Sequence, residues 1–415
     1  MAFFQPFLDL LPYRLEQALG DRTLRSARIR RVRRSRRAAV PTPIQRRRLF
    51  IDLAVISKHD AGTGIQRVVR ELALSLIHEA PEDWDIHFLA ATRRRKYHLI
   101  SWPTPYEPID FTPITAAPGD IFLGLDYSLD AVRRHRNQLA AFRRNGGTLW
   151  FLVHDLLPLE KPEWFSTNTV IRYKAWLGIL AGLADGFLCN SRQTEEDLKR
   201  NLEREFGLKS GYKTAVLPMG HKISGPTPVT SAGILQPTRI DAEASFFLMV
   251  GTLEPRKGHS DIIAAFSRLW ADGAVERLVL VGRTGWQMDE LHQAILNHPE
   301  HGRKLFWFDD VEDSELFDLY EKCSGGIIAS LGEGFGLPLI EFLGHAKPVF
   351  ARDLPVFHPH AEMGVRYFPI AAQDANLSVH LRSWIADVNA NRISVVRPNT
   401  SWKTSAQALI SAVRV

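Results

Sequence analysis

Short apolar runs and amphipathic helical segments alternate along this chain in two successive sets. That order restricts the fold to mostly parallel sheets covered on both faces. The first set holds Leu49–Ile56, Ile86–Ala90, Ile121–Leu125, Thr148–Val153, Gly186–Cys189 and Thr214–Leu217 as strands. Helical spacing fills Ile65–Leu76, Ser128–Arg144 and Thr194–Glu205 between them. The pattern lapses over residues 220–245, where Ser224-Gly-Pro-Thr-Pro-Val and Gln236-Pro-Thr read as linker. A second set of strands follows at Phe246–Val250, Arg277–Val281, Lys304–Phe308, Gly326–Ala329 and Pro348–Phe350. At 415 residues the chain exceeds one ordinary core. The expected organisation is a leader over 1–48, an α/β domain over 49–219, the linker, a second α/β domain over 246–390, and a closing helix within 391–415. Two doubly wound, Rossmann-like domains of this kind are expected to face each other across a cleft. Open α/β sheets bind ligands at the carboxyl ends of their strands.

The formal charge of +6 is unevenly distributed. Residues 1–48 hold thirteen arginines against three acids, a net of +10, which leaves the rest of the chain near −4. Within that leader Phe4, Leu8, Leu11, Leu15 and Leu19 fall at helical spacing, interrupted by Pro6 and Pro12, and an arginine block runs from Arg22 to Arg37. An apolar stripe beside a cationic block suits an anionic membrane surface; a solvated tail is the other reading. Nucleic acid is not expected as a partner, because no aromatics interleave with the arginines. The first core strand starts only near Leu49, so the body is expected to fold without the leader. No apolar run reaches the roughly 18–20 residues that span a bilayer, and the order of charge and apolar residues is the reverse of a signal peptide. The expectation is a cytoplasmic protein, peripheral on the inner face of the membrane if the leader docks there. Cys189 and Cys323 are expected as buried free thiols.

Two segments carry chemistry. Ser330-Leu-Gly-Glu-Gly-Phe-Gly-Leu-Pro-Leu-Ile-Glu341 leaves a strand and opens a helix. Gly334 and Gly336 let the backbone approach a ligand closely, and Pro338 suits the first helical position. Free amides at the positive helix end favour an anion such as a diphosphate. Glu333 and Glu341, seven residues between them, can hold different hydroxyl-bearing parts of one extended ligand. The second segment is Val250-Gly-Thr-Leu-Glu-Pro-Arg-Lys-Gly258. Gly251 turns the chain at a strand's carboxyl end, and Arg256 and Lys257 then offer two cations that can stabilise charge growing on a leaving diphosphate. Either segment alone would pass for a solvated turn; their conjunction favours a site.

In this order and spacing the two segments resemble the retaining glycosyltransferases of family four, the glycosyl transferases group 1, and within them a mannosyltransferase-like branch. Supporting matches are Gly62-Thr-Gly64, Val153-His-Asp155, Asn190-Ser-Arg-Gln-Thr194, Val216-Leu-Pro-Met-Gly220, Val281-Gly-Arg-Thr-Gly-Trp286 and Phe308-Asp-Asp-Val311. One departure is Thr252, where many members carry arginine; Arg256 can supply that charge from four positions later. The resemblance implies the GT-B fold and these roles. Glu333 binds hydroxyls of the donor sugar and Glu341 the ribose. Amides from Gly334, Phe335, Gly336 and Leu337 face the sugar and phosphates, which Arg256 and Lys257 grip after the Gly251 turn. Gly62 and Gly64 approach the diphosphate from the first domain, and Val311 lies near the base. His154 faces the reacting centre with Asp155 beside it.

The implied reaction is transfer of a hexose from a nucleotide sugar to a glycan or lipid-linked acceptor, with retention by front-face displacement. GDP-mannose is the first expectation for the donor, on the stretch Val153 to Glu163, followed by a rhamnose or UDP-sugar donor. A non-catalytic binding protein is the alternative class. No cofactor and no metal are expected: no histidine and carboxylate set has metal-ligand spacing, and Asp309-Asp310 reads as a solvated turn.

Overall fold

The computed structural model describes residues 46–60, 62–103, 107–222, 245–285, 288–371 and 374–414, together with Ile29 and Arg33. The chain forms two compact units. One runs to Leu217 and takes back Ser405–Val415, and the other is Pro218–Thr404.

The first unit contains β1 (Arg47–Asp52), β2 (Trp84–Ala90), β3 (His98–Ser101), β4 (Glu107–Asp110), β5 (Ile121–Gly124), β6 (Thr148–Val153), β7 (Gly186–Cys189) and β8 (Lys213–Val216). They form one sheet in the order β4-β3-β2-β1-β5-β6-β7-β8. The strands from β2 to β8 in that order pair in parallel, whereas β3 pairs antiparallel with both β2 and β4. The alternation in sequence required the parallel part, because each parallel crossover needs a covering helix. It did not announce the β3–β4 edge. All four residues of β4 are exposed, Pro108 among them, so no apolar run marks that strand. An edge is where a sheet tolerates proline.

The second unit contains β9 (Phe246–Val250), β10 (Arg277–Val281), β11 (Leu305–Phe308), β12 (Gly325–Ile328), β13 (Val349–Arg352) and β14 (Val365–Phe368). Their order is β11-β10-β9-β12-β13-β14, parallel throughout. This is the doubly wound order 3-2-1-4-5-6, whose winding reverses between β9 and β12. Trp384, from helix Asp374–Asn389, is fully buried in the core of this unit, with ring centroids 4.9 Å from Phe247 and 5.3 Å from Phe350.

Two expectations are corrected by tertiary contacts. The helix expected over Ser128–Arg144 is two helices, Leu129–Arg134 and Arg136–Arg144, broken at His135. The His135 ring is anchored to the Thr92 carbonyl at 2.8 Å. The folded body also begins before Leu49. The amide of Arg47 donates to the Asp83 carbonyl at 2.9 Å, and the Arg48 guanidinium pairs with Asp120.

The apolar stripe from Phe4 to Leu19 and most of the linker lie outside the described residues. Two points of the arginine-rich stretch lie within them, and both belong to the first unit. Ile29 is buried in its core. Arg33 donates to the Ala181 carbonyl at 2.8 Å and to the Gly211 carbonyl. Ala181 lies in the last turn of helix Thr167–Leu183, whose carbonyls have no partner within the helix. These contacts set two residues of the expected leader against the first unit. Ile29→Ala should destabilise the first unit by about 2 kcal/mol or more, and Arg33→Ala by about 1 kcal/mol. Urea melts would measure both; midpoints equal to wild type would mean that this stretch does not contribute.

Both cysteines are buried free thiols, as expected, and burial pushes the Cys323 thiol up to about 12. Among the described residues no helix is long and apolar enough to cross a membrane.

Candidate active site

In the second unit the two motif loops leave the carboxyl ends of β9 and β12, the adjacent strands at which the winding reverses. Open α/β sheets bind ligands in the crevice at such a point. After β9 the Gly251 amide extends the ladder to the Val281 carbonyl at 2.9 Å. A short 3-10 turn, Pro255–Lys257, then ends at Gly258, which starts helix His259–Ala271. After β12 the chain runs from Ala329 to Gly336 and enters helix Leu337–Gly344. Pro338 stands second in that helix, one place later than expected. Gly336 caps it at φ 82°, and a Cβ there would lie 2.4 Å from the Phe357 ring. That position therefore requires glycine.

The loops are stitched together. The Leu331 amide donates to the Arg256 carbonyl at 2.7 Å. Lys257 Nζ donates to Glu333 Oε1 at 2.5 Å, and Ser330 Oγ donates to the same oxygen at 2.6 Å. The Arg256 guanidinium lies 3.8 Å from Glu333 Oε2 and 2.9 Å from Glu254 Oε2. The Glu333 side chain is only 11% exposed. Burial opposes its charge, but Lys257 and Arg256 outweigh that and hold its carboxyl below the ordinary range. The two cations and the first glutamate thus form one charge cluster.

Glu341, in the helix that follows, is buried and accepts from the Tyr320 hydroxyl at 2.6 Å. Gly334 and Phe335 lie in the loop, and Leu337 opens the helix. Val311 is half-buried beyond the carboxyl end of β11.

The remaining candidates belong to the first unit. Gly62, at φ 66°, precedes Thr63, which caps helix Gly64–Glu79 through a reciprocal bond pair with Gln66. Gly64 is therefore the first helical residue, and no acid stands in that first turn. His154 follows β6, is buried, and has Nε2 3.3 Å from the Leu125 carbonyl. Asp155 accepts the Leu157 amide at 3.1 Å through Oδ1, and its carbonyl accepts the Tyr173 hydroxyl at 2.6 Å.

Burial lowers the His154 pKa to about 4, and the Leu125 carbonyl restores only part of it. The ring is neutral at pH 7. A histidine depressed in the folded state leaves the unfolded chain binding more protons, so stability falls as pH drops from about 6.5 toward 4. His154→Asn should flatten acid unfolding over that window by about 3 kcal/mol relative to wild type. Parallel acid-melting curves would contradict it.

Sequence reasoning missed three groups. Arg352, at the end of β13, is buried and donates to the Ala329 carbonyl at 2.9 Å, to Asp261 Oδ2 at 2.7 Å and to the Ile370 carbonyl. It ties the β12 loop to helix His259–Ala271. An arginine closing the apolar run Val349–Ala351 was its signal. Tyr320 had none, since a tyrosine on an amphipathic helix reads as core. The third group sits in the first unit, where winding reverses between β1 and β5. There Asp52 accepts from Tyr97 Oη at 2.9 Å and from the Ala54 amide at 2.9 Å, while Asp126 accepts the Val55 and Ile56 amides at 2.6 and 2.9 Å. Burial, then the Asp126 charge, pushes the Asp52 carboxyl up to about 7.

Comparison with known proteins agrees with this geometry. The family model for glycosyl transferases group 1 matches residues 233–393. The chain is 34% identical over 377 residues to the serotype-specific mannosyltransferase WbdA of Escherichia coli, covering 88% of this chain and 46% of that protein. It therefore spans about half the length of the curated relatives it matches. The O-antigen chain mannosyltransferase RfbU of Salmonella typhimurium is 32% identical over 123 residues, 30% of this chain and 34% of that one. Among solved structures, sucrose-phosphate synthase from Thermosynechococcus elongatus superposes with a TM-score of 0.57 at 16% identity, over 89% of this chain and 95% of that one. That likeness shows the GT-B fold. With its motif loops at the switch point of the second sheet, the chain belongs to the glycosyl transferases group 1.

Proposed function

We propose that this chain transfers a hexosyl group, with mannose from GDP-mannose the first candidate, from a nucleotide sugar to a glycan or lipid-linked acceptor in surface-polysaccharide assembly. The observation that carries this reading is the cluster of Lys257, Arg256 and Glu333 beside the amino end of helix Leu337–Gly344. The mannosyltransferase names of the relatives support the choice of sugar, and the O-antigen name of one of them supports the class of acceptor.

In this mechanism the acceptor oxygen bonds to the anomeric carbon on the face from which the diphosphate oxygen departs. The acceptor proton passes to that phosphate, and configuration is retained. The bond that breaks leaves its electron pair on the diphosphate. Lys257, Arg256 and the positive end of helix Leu337–Gly344 stabilise that growing charge without rearranging. Glu333 orients the sugar hydroxyls and Glu341 the ribose. His154, neutral at pH 7, contributes as a hydrogen-bonding group rather than as a cation. Electrostatic work done by protein cations makes the transfer independent of a divalent metal. Docking of the arginine-rich stretch on an anionic leaflet would suit a lipid-linked acceptor.

The test is release of nucleoside diphosphate from a panel of nucleotide sugars, with and without a polysaccharide-lipid acceptor, in excess EDTA. GDP-mannose should be consumed only with acceptor, and EDTA should leave the rate largely unchanged. Glu341→Ala should weaken donor binding about tenfold or more, the effect of losing a hydrogen bond to a charged group. No turnover of any donor, or restoration by divalent metal of activity lost to EDTA, would overturn the corresponding part of the reading.

A further inference from the structure

We propose that Tyr320 is a positioning residue that presents Glu341 to the ribose diol of the nucleotide and so gives this chain its preference for ribonucleotide donors. This deepens, and rests on, the reading of Glu341 as the ribose contact.

Tyr320 lies on helix Asp313–Lys322 and Glu341 on helix Leu337–Gly344, and both side chains are buried. The 2.6 Å bond from the phenol to Glu341 Oε2 has the length of a charge-assisted O–H···O bond. The tyrosine ring is itself fixed. It stacks on His345 with centroids 5.2 Å apart and 11° between planes, and it meets Phe342 edge-on at 4.7 Å. His345 is held in turn by Glu321, 2.5 Å from its Nδ1, and by the edge of Phe317 at 5.0 Å. Phenylalanine at position 320 would serve this packing equally well. What the hydroxyl adds is a fixed orientation of the carboxylate.

That orientation matters because a vicinal diol needs acceptors at a set spacing, and preorganised groups bind without the entropy cost of being ordered. A carboxylate offers about four lone-pair positions, and the phenol uses one. Glu341 is 2% exposed, so it cannot swing outward to find a ligand. The geometry held by Tyr320 is the geometry that a ribose meets.

The test is calorimetric binding of GDP and UDP, and of their 2′,3′-dideoxy analogues, to the full chain as wild type, Tyr320→Phe, Glu341→Gln and the double variant. Wild type should bind the accepted ribonucleotide about tenfold or more tighter than its dideoxy analogue, the scale of a hydrogen bond to a charged group. Tyr320→Phe should reduce that ratio to within about threefold while dideoxy affinity stays unchanged, and it should add nothing in the Glu341→Gln background. In turnover the donor KM should rise with kcat little changed. A Tyr320→Phe variant that keeps the ribose preference, or weakens both ligands equally, overturns the role of Tyr320 while leaving the Glu341 reading intact. Loss of preference in Glu341→Gln alone would mark that case. A wild type that binds ribose and dideoxyribose nucleotides alike, or neither, overturns the Glu341 reading and this inference with it.

Discussion

Lys257→Ala should lower turnover at saturating donor by about 10²- to 10³-fold, the loss seen when a fixed electrostatic group is removed from a transition state. It should also lower stability by about 3 kcal/mol, because Glu333 is left nearly buried without the cation 2.5 Å from it. These effects have different origins and can be separated. Replacing the carboxylate as well, in Lys257→Ala/Glu333→Gln, removes the stranded charge, so the melting temperature should recover. Turnover should stay well below that of Glu333→Gln alone, since nothing replaces the cation near the departing diphosphate. Turnover in the double variant equal to that of Glu333→Gln alone would make Lys257 a structural counterion for Glu333 only. A rise in KM without loss of kcat would confine it to ground-state binding. Arg256→Ala should behave in the same direction with a smaller loss of stability, since its guanidinium stands 3.8 Å from Glu333 and pairs also with Glu254.

The second large effect is expected at Gly258, where the two loops meet. Its φ is 70°, and an added Cβ would lie 2.3 Å from the Ala329 carbonyl oxygen. The left-handed conformation costs an alanine about 1–2 kcal/mol. The contact adds roughly 1–3 kcal/mol, because the obstacle is backbone rather than a yielding side chain. That carbonyl is also held by Arg352 Nε at 2.9 Å, so it has little freedom to retreat. Gly258→Ala should therefore destabilise the second unit by about 2–5 kcal/mol. It should also lower turnover in the molecules that remain folded, by prying the Lys257 turn from the Glu333 loop. Gly273→Ala is the matched control, with φ at 92° and no heavy atom within 4 Å of its added Cβ. It should show the conformational cost alone. If both variants melt alike and Gly258→Ala turns over normally, the close approach of the loops has no functional weight.

Much of this architecture is legible in local pattern. The apolar runs at Phe246–Val250 and Arg277–Val281 coincide with β9 and β10, because a strand buried on both faces is apolar throughout. The helix Arg192–Phe206 lies between Ser191 and a left-handed Gly207, and its apolar period is plain in Leu198, Leu202 and Phe206. The glycine-rich exits of β9 and β12 are equally local, since a turn that precedes a helix needs particular residue types within a few positions. Such features depend on neighbours in sequence, and the sequence alone determines them.

Which elements meet is another matter. Lys257 and Glu333 are far apart in the chain, and they touch because strand order sets β9 beside β12. Sequence pattern marks most of the strands, missing β3, β4 and β14, and does not order them. The bond from Tyr320 to Glu341, the reach of Arg352 to Ala329 and Asp261, the break at His135 and the burial of Ile29 have the same origin. In each, a side chain is committed by a partner from a distant segment that only the packed sheet brings near. The strand Glu107–Asp110 is the limiting case: four exposed residues, one of them proline, become a strand because β3 offers them a free edge. Local propensity is worth a few tenths of a kcal/mol per residue, and burial with a specific partner is worth several times that. Where the two differ, tertiary structure decides.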